Sequence, residues 1–243
     1  MSIFANKNFL KKRISSKEQK LKIRAIVFDA DDTLYKVKTK NAYKKKFEFL
    51  SKKIGVESNL IEMIWREIVK GVVRSKNPNK RRREYSLVKT LVNFGIEEKK
   101  AKKLAKDALK IFWGKVVEDL EFSPKIKNII KKLSKKYKLI VASEEFRPNL
   151  EKKLNKVFGN WRRYFEFLIT PDITGEMKPS KKYYKIILKR TKLKPEEILV
   201  VGNSLEKDLN PARKLGIKTI LVESERDLLK VFKKIENDDF SEF

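Results

Sequence analysis

Five short apolar runs limit the folds open to this chain: "IRAIVF" (23–28), "KLIVA" (138–142), "FLIT" (167–170), "ILVV" (198–201) and "KTILV" (218–222). They are rich in Ile, Val and Leu and do not alternate strictly with polar residues. That is the pattern of strands buried on both faces of a parallel sheet. Amphipathic helical segments separate the later runs. Ser123-Pro124 offers an N-cap and a first-turn proline for a helix across "KIKNIIKKLSKK". "NLEKKLNKVF" and "KYYKIILKR" are two more, and Asn210-Pro211 starts a helix that Gly216 ends just before the fifth run. Strand and helix in alternation predict an α/β, doubly wound parallel-sheet core.

The connection between the first two runs is far longer than an ordinary crossover. Residues 36–122 hold no strand pattern and read as helices: "AYKKKFEFLSKKI", "NLIEMIWREIVKGVV", "EYSLVKTLVNF" and "EKKAKKLAKDALKIFWGKVVEDL". Phe47, Leu50, Ile54, Trp65 and Trp113 recur at helical spacing, which predicts the core of an inserted helical domain and not a ligand cage. The expected organisation is a basic extension (1–20), a core (21–35 and 123–235), the insertion (36–122) and an acidic tail (236–243).

The chain has no cysteine and no histidine. Ser-His-Asp and Cys-His catalysis, thiol redox chemistry and His/Cys zinc sites are therefore excluded. Carboxylates, hydroxyls, amides, lysine and arginine remain, as do sites that hold a hard cation with oxygen ligands. Lys and Arg number 61 against 32 for Asp and Glu, a formal charge of +29. Such an excess suits RNA or an anionic membrane face, but it is spread along the chain and no aromatic-basic RNA-binding motif accompanies it. A lysine-rich composition without a nucleic-acid partner is the favoured reading. The densest basic cluster, "NKRRRE" (79–84), is expected to be a solvated loop between helices, the alternative being a site for a second phosphate or a nucleic-acid backbone. Lysines 44–46 are assigned to the surface. No run is long enough to span a membrane, and residues 1–20 lack the apolar centre of a secretory signal, so a cytoplasmic protein is expected.

In an open α/β sheet the ligand sits beyond the carboxyl ends of the strands. The first run is followed by Asp29, Asp31 and Thr33, and the second by Ser143, Glu144 and Glu145. Glu144 and Glu145 read as a helix-start feature. The loop after the third run reaches Lys178. The fourth is followed by Gly202, Asn203 and Ser204, with Asp208 close behind. Carboxylates, a hydroxyl, an amine and an amide thus converge on one edge of the sheet.

With these residues in this order the chain resembles the haloacid dehalogenase superfamily of aspartate-nucleophile hydrolases. "FDADDTL" matches its DxDxT signature, "LIVAS" its second motif, Lys178 in "MKPS" its third, and "VVGNSLEKD" its fourth. The resemblance runs from about residue 23 to 222 and implies a Rossmann-like core with an inserted α-helical cap domain. It implies a Mg²⁺-dependent phosphatase acting on a small phosphorylated metabolite. Asp29 would attack phosphorus and form an aspartyl-phosphate. Asp31 would protonate the leaving oxygen and then activate water. Ser143 and Lys178 would bind the phosphoryl group, with Lys178 offsetting charge in the transition state. Mg²⁺ would be held by the Asp29 carboxylate and the Asp31 backbone carbonyl, with Asn203 and Asp208. Thr33 and Ser204 would support the loops. The departure is Asn203, where the pattern has an aspartate, so metal is expected to bind more weakly. The alternative reading is a catalytically degenerate member that binds RNA or another polyanion.

Overall fold

The computed structural model describes residues 23–73, 75, 77–237 and 239–240. The expected basic extension at 1–20 lies outside them, as does part of the acidic tail. Five strands form one parallel sheet: β1 (Ala25–Phe28), β2 (Lys138–Ala142), β3 (Phe167–Ile169), β4 (Ile198–Gly202) and β5 (Lys218–Leu221). Their order is β3-β2-β1-β4-β5. Ala25 pairs with Lys138 on one side and Ile198 on the other, so β1 is central and both neighbours run parallel to it.

The sheet is buried on both faces because neither residue parity is polar. Ile26, Phe28, Leu139, Val141, Leu199 and Val201 enter one apolar cluster. Ala25, Val27, Ile140, Ala142, Ile198 and Val200 enter the other. Three helices cover the first face: α5 (Pro124–Leu133), α6 (Arg147–Phe158) and α8 (Glu225–Glu236), through Ile130, Leu150, Leu154 and Phe232. Helix α7 (Lys181–Thr191) covers the second through Tyr183, Tyr184 and Ile187. Each buried Leu, Ile or Phe contributes about 1.5–3 kcal/mol. The chain moves from β1 towards β2 and later returns to β4 on β1's other side. A crevice therefore opens above the carboxyl end of β1.

Between β1 and α5 lie four helices: α1 (Lys40–Ile54), α2 (Ser58–Val72), α3 (Arg83–Asn93) and α4 (Glu98–Glu118). They enclose an apolar cluster of their own around Phe47, Leu50, Ile61, Trp65, Leu87 and Leu104. This is the helical cap. Its two connections run side by side, joined by Lys36 N–H to Glu121 O (2.8 Å) and Glu121 N–H to Lys36 O (3.2 Å).

One local expectation needs correction. Lys46 is not at the surface but fully buried. It falls on the α1 face that also carries Ala42 and Leu50, so helical period overrides residue type. The helix expected from Asn210-Pro211 is present (Asn210–Arg213), but it does not start from a free loop. A π-helical turn (Leu205–Leu209) precedes it, capped by the Ser204 hydroxyl, which accepts from Lys207 N–H at 3.2 Å. Among the described residues no helix is long and apolar enough to cross a membrane.

Candidate active site

The end of β1 stays in the sheet long enough to aim Asp29: its N–H donates to Val201 O at 2.9 Å. The chain then turns sharply, with Leu34 N–H donating to Ala30 O and Asp32 N–H to Tyr35 O. Asp32 takes the left-handed conformation (φ 61°), and its carboxylate accepts Val37 N–H at 3.2 Å. Asp32 thereby holds the turn. Thr33 braces the same turn, its hydroxyl donating to Asp29 Oδ2 at 3.2 Å.

Lys178 closes the site from the β3 side. Its buried ammonium donates to Asp29 Oδ1 (2.6 Å), Asp208 Oδ1 (2.6 Å) and Ala142 O (2.8 Å), which uses all three of its donors. Burial alone would lower the Lys178 pKa, but Asp29, Tyr184 and Asp208 raise it well above the ordinary lysine value, so it stays charged. Burial pushes Asp29 up to about 6, against the opposing pull of Lys178, and the Asp208 charge adds to the rise.

Asp208 is buried, and both its oxygens are engaged: Oδ2 accepts Ser204 N–H at 3.1 Å. The chain approaches so closely here that a Cβ on Gly202 would lie 2.6 Å from Asp208 Oδ2. Ser143 is also buried; its hydroxyl accepts Glu145 N–H at 3.0 Å, and its carbonyl accepts the Tyr183 hydroxyl at 2.7 Å. A cavity of about 400 Å³ joins these elements. Asp29, Asp31, Ser143, Lys178, Asn203, Ser204 and Asp208 all line it. The structure therefore brings every residue singled out at the strand exits to one place, with Thr33 just behind.

The family model for haloacid dehalogenase-like hydrolases matches residues 23–216. The chain belongs to that family. A glyceraldehyde 3-phosphate phosphatase of Methanothermobacter thermautotrophicus is 28% identical over 203 residues, 84% of this chain and 87% of its own. One from Methanocaldococcus jannaschii is 36% identical over 80 residues, a third of each chain (33%). Among solved structures, the 2-haloacid dehalogenase of Pseudomonas syringae pv. Tomato superposes with a TM-score of 0.66 at 19% identity, covering 88% of this chain and 99% of its own. HAD-hydrolase YfnB of Bacillus subtilis, bound to magnesium, gives 0.63 at 17% identity, covering 87% and 99%. These two likenesses speak for the fold alone.

Two further residues belong to this hydrolase's site, one not among the expected residues and one inside the 79–84 cluster, whose alternative reading is a site for a second phosphate. Lys153, on α6, is fully buried, and its ammonium lies 2.6 Å from each carboxylate oxygen of Asp31. The signal was present: Lys153 stands between Leu150 and Leu154 on the apolar face of α6. Arg83, at the start of α3, lines the cavity with Asp29 and Lys178. The cluster at 79–84 is thus not simply a solvated loop. Arg81 pairs with Glu144 at 3.5 Å, and Arg82 stacks 4.2 Å from the Phe146 ring centroid. Glu144 also receives Lys207 at 2.7 Å. Glu145 does serve the helix start, accepting from Phe146 N–H and the Asn149 amide, and burial raises its pKa against the pull of Lys153 and Arg83.

Among the described residues no group of three or more His, Cys, Asp or Glu is placed to hold a metal. Asp29 and the exposed Asn203 line the cavity and carry side-chain oxygen donors, to which the family resemblance would add the Asp31 main-chain carbonyl. One carboxylate with an amide and a carbonyl fits a hard cation that keeps several waters, as Mg²⁺ does.

Proposed function

We propose that this hydrolase is a Mg²⁺-dependent phosphatase that cleaves a small phosphomonoester through an aspartyl-phosphate. The observation that carries the reading is the ion pair of buried Lys178 with Asp29, in one cavity with Asp31 and Ser143. The phosphatase names of the two archaeal relatives support it and point to a triose-sized substrate. Residues 36–122 act as the cap on a core of 21–35 and 123–235, and a cytoplasmic location suits the substrate class.

Asp29 supplies the nucleophile. Its Oδ2, the oxygen not taken by Lys178, bonds to phosphorus as the bond to the leaving oxygen breaks. Asp31, two residues on, enters this step as the carboxylic acid and gives its proton to that oxygen; as the carboxylate paired with Lys153 it then takes a proton from the water that attacks phosphorus and frees Asp29. Lys178 offsets charge on Asp29 and the phosphoryl oxygens, and Ser143 donates its hydroxyl proton to one of them. Bound by Asp29, Asn203 and the Asp31 carbonyl, Mg²⁺ would supply further positive charge. Asp208 has both oxygens occupied, so it serves better as the anchor of Lys178 than as a metal ligand.

The test is phosphate release from p-nitrophenyl phosphate and a panel of triose and other small phosphomonoesters. Release should require Mg²⁺, stop with a chelator and vanish in Asp29→Asn. Turnover that survives in Asp29→Asn would overturn the nucleophile assignment. A folded protein that releases no phosphate from any ester would overturn the function.

A further inference from the structure

Arg83 is a half-buried cation without a carboxylate. Its Nη1 donates to the Tyr43 hydroxyl at 2.5 Å, and its guanidinium lies 4.9 Å from the Phe112 ring centroid and 5.5 Å from that of Trp113. Every other cation around the cavity has a partner: Lys178 has Asp29 and Asp208, Lys207 has Glu144, and Lys153 has Asp31. Among the described residues no carboxylate lies within ion-pair distance of Arg83. Lys46 is buried against two of the same rings, Tyr43 and Phe112, but burial and repulsion from Arg83 lower its pKa to about 6, so it brings little charge at neutral pH and leaves Arg83 as the cation of this corner. A guanidinium carries five N–H donors, and one is used here.

The place of Arg83 is as informative as its charge. It lines the cavity of about 400 Å³ that holds Asp29, Ser143 and Lys178, and also a second cavity of about 270 Å³ between cap and core, walled by Trp65, Trp113, Phe146 and Met177. It therefore stands where the leaving group of a phosphomonoester must lie once its phosphoryl group meets Asp29. Aromatic planes and the Tyr43 hydroxyl fix the guanidinium, so little ordering cost remains when it binds an anion. The acidic neighbours do not cancel it. Glu144 is shared by Lys207 and Arg81, and Glu145 already accepts two hydrogen bonds.

We infer that Arg83 is an anion receptor for the leaving group, and that the preferred substrate carries a second anionic group, a carboxylate or another phosphate, a few bonds from the scissile phosphate. This rests on the phosphatase reading and narrows it. A guanidinium closing on a carboxylate or phosphate forms two charge-assisted hydrogen bonds, enough for a preference of about tenfold or more.

The experiment compares matched esters: phosphoglycolate against 2-hydroxyethyl phosphate, and 1,3-propanediol bisphosphate against 3-hydroxypropyl phosphate. The wild type should show kcat/KM at least about tenfold higher for one charged member than for its neutral partner. Which pair shows it tells carboxylate from phosphate. Arg83→Met should erase that preference, and Arg83→Lys should keep part of it. Equal loss on charged and neutral esters would place Arg83 on the transferred phosphoryl group and overturn the inference, as would a wild type that prefers neither. Calorimetric binding of phosphonoacetate against methylphosphonate, in wild type and Arg83→Met, needs no turnover. Tighter binding of phosphonoacetate, lost in the variant, supports the receptor even if no ester is cleaved. Equal binding of the two overturns it.

Discussion

Lys153 Nζ lies 2.6 Å from both carboxylate oxygens of Asp31, and its own side chain is closed off from solvent while that of Asp31 remains 37% exposed. The ring centroids of Tyr35, on the core, and Trp113, on the cap, each lie 5.9 Å from the ammonium. The pair fixes where the Asp31 carboxylate points. Lys153→Met keeps the apolar stem and removes the clamp. If Asp31 protonates the leaving oxygen, kcat/KM for alkyl phosphates should fall about 10²-fold. The fall with p-nitrophenyl phosphate should be several-fold smaller, because its leaving group needs little protonation. A uniform drop across both ester types would mean that Lys153 only supports the fold.

The raised pKa of Asp29 predicts two pH dependences. A nucleophilic carboxylate with a pKa of about 6 loses activity as pH falls through 6, tenfold per unit well below it. Stability runs the other way. The folded pKa lies above the unfolded value of 3.8, so between about pH 4 and 6 the native state binds more protons and gains stability as pH falls. Above pH 6 the buried charge is a standing cost. Asp29→Asn should therefore melt at higher temperature than the wild type at pH 7, with the gap closing towards pH 4. Added Mg²⁺ should raise the wild-type melting temperature at pH 7 and leave that of Asp29→Asn almost unchanged. A variant that melts lower than the wild type at neutral pH would show that Lys178 outweighs burial.

What could be read in the sequence follows from the physics of each element. The strands were legible because a doubly covered parallel sheet leaves no room for polar alternation, and the site because ligands gather where such strands end. Asp29, Ser143 and Lys178 needed only that rule. Lys46 and Lys153 are hard to place from sequence because lysine is a surface residue by type, although each occupies an apolar helical position and has a four-carbon stem to bury. Arg83 is legible only as one of the 79–84 cluster, with a second-phosphate site as the less favoured reading. Its place in the cavity depends on how the cap sits on the core, which no local pattern encodes.

Lys46 itself gives a stability prediction. Its ammonium lies 3.9 Å from the Trp65 ring centroid and 4.0 Å from that of Phe47, without a hydrogen-bond partner. Burial, with repulsion from Arg83, lowers its pKa from 10.5 to about 6. The unfolded chain thus binds a proton that the native state refuses between about pH 6 and 10.5, and native stability rises with pH across that window. Ring faces contribute about 0.5–2 kcal/mol to a cation, less than the several kcal/mol that burying one costs. Lys46→Met should be more stable than the wild type at pH 7, on the order of a few kcal/mol, with the advantage shrinking towards pH 10. Denaturant titrations at pH 6.5, 8 and 9.5 measure this. A pH-independent loss in the variant would mean that the aromatic box outweighs desolvation.

Gly202 separates the anchoring of Lys178 from the chemistry at Asp29. An added Cβ would meet Asp208 Oδ2 at 2.6 Å, Cβ at 2.7 Å and Cγ at 2.8 Å. The π-helical turn gives Asp208 little room to retreat, because its N–H donates to Ser204 O at 2.9 Å and its Oδ2 accepts Ser204 N–H at 3.1 Å. Gly202→Ala should force Asp208 off Lys178 and leave the ammonium with Asp29 and the Ala142 carbonyl. A displaced Lys178 no longer orients the Asp29 carboxylate it holds through Oδ1, and a shift of about 1 Å costs roughly 10²-fold in rate. Overpacking should lower stability by about 1–3 kcal/mol. Nothing in the substitution touches the Arg83 side of the cavity, so kcat should fall while KM moves little. Wild-type kcat in Gly202→Ala would show that Asp208 does not need to hold Lys178 for turnover.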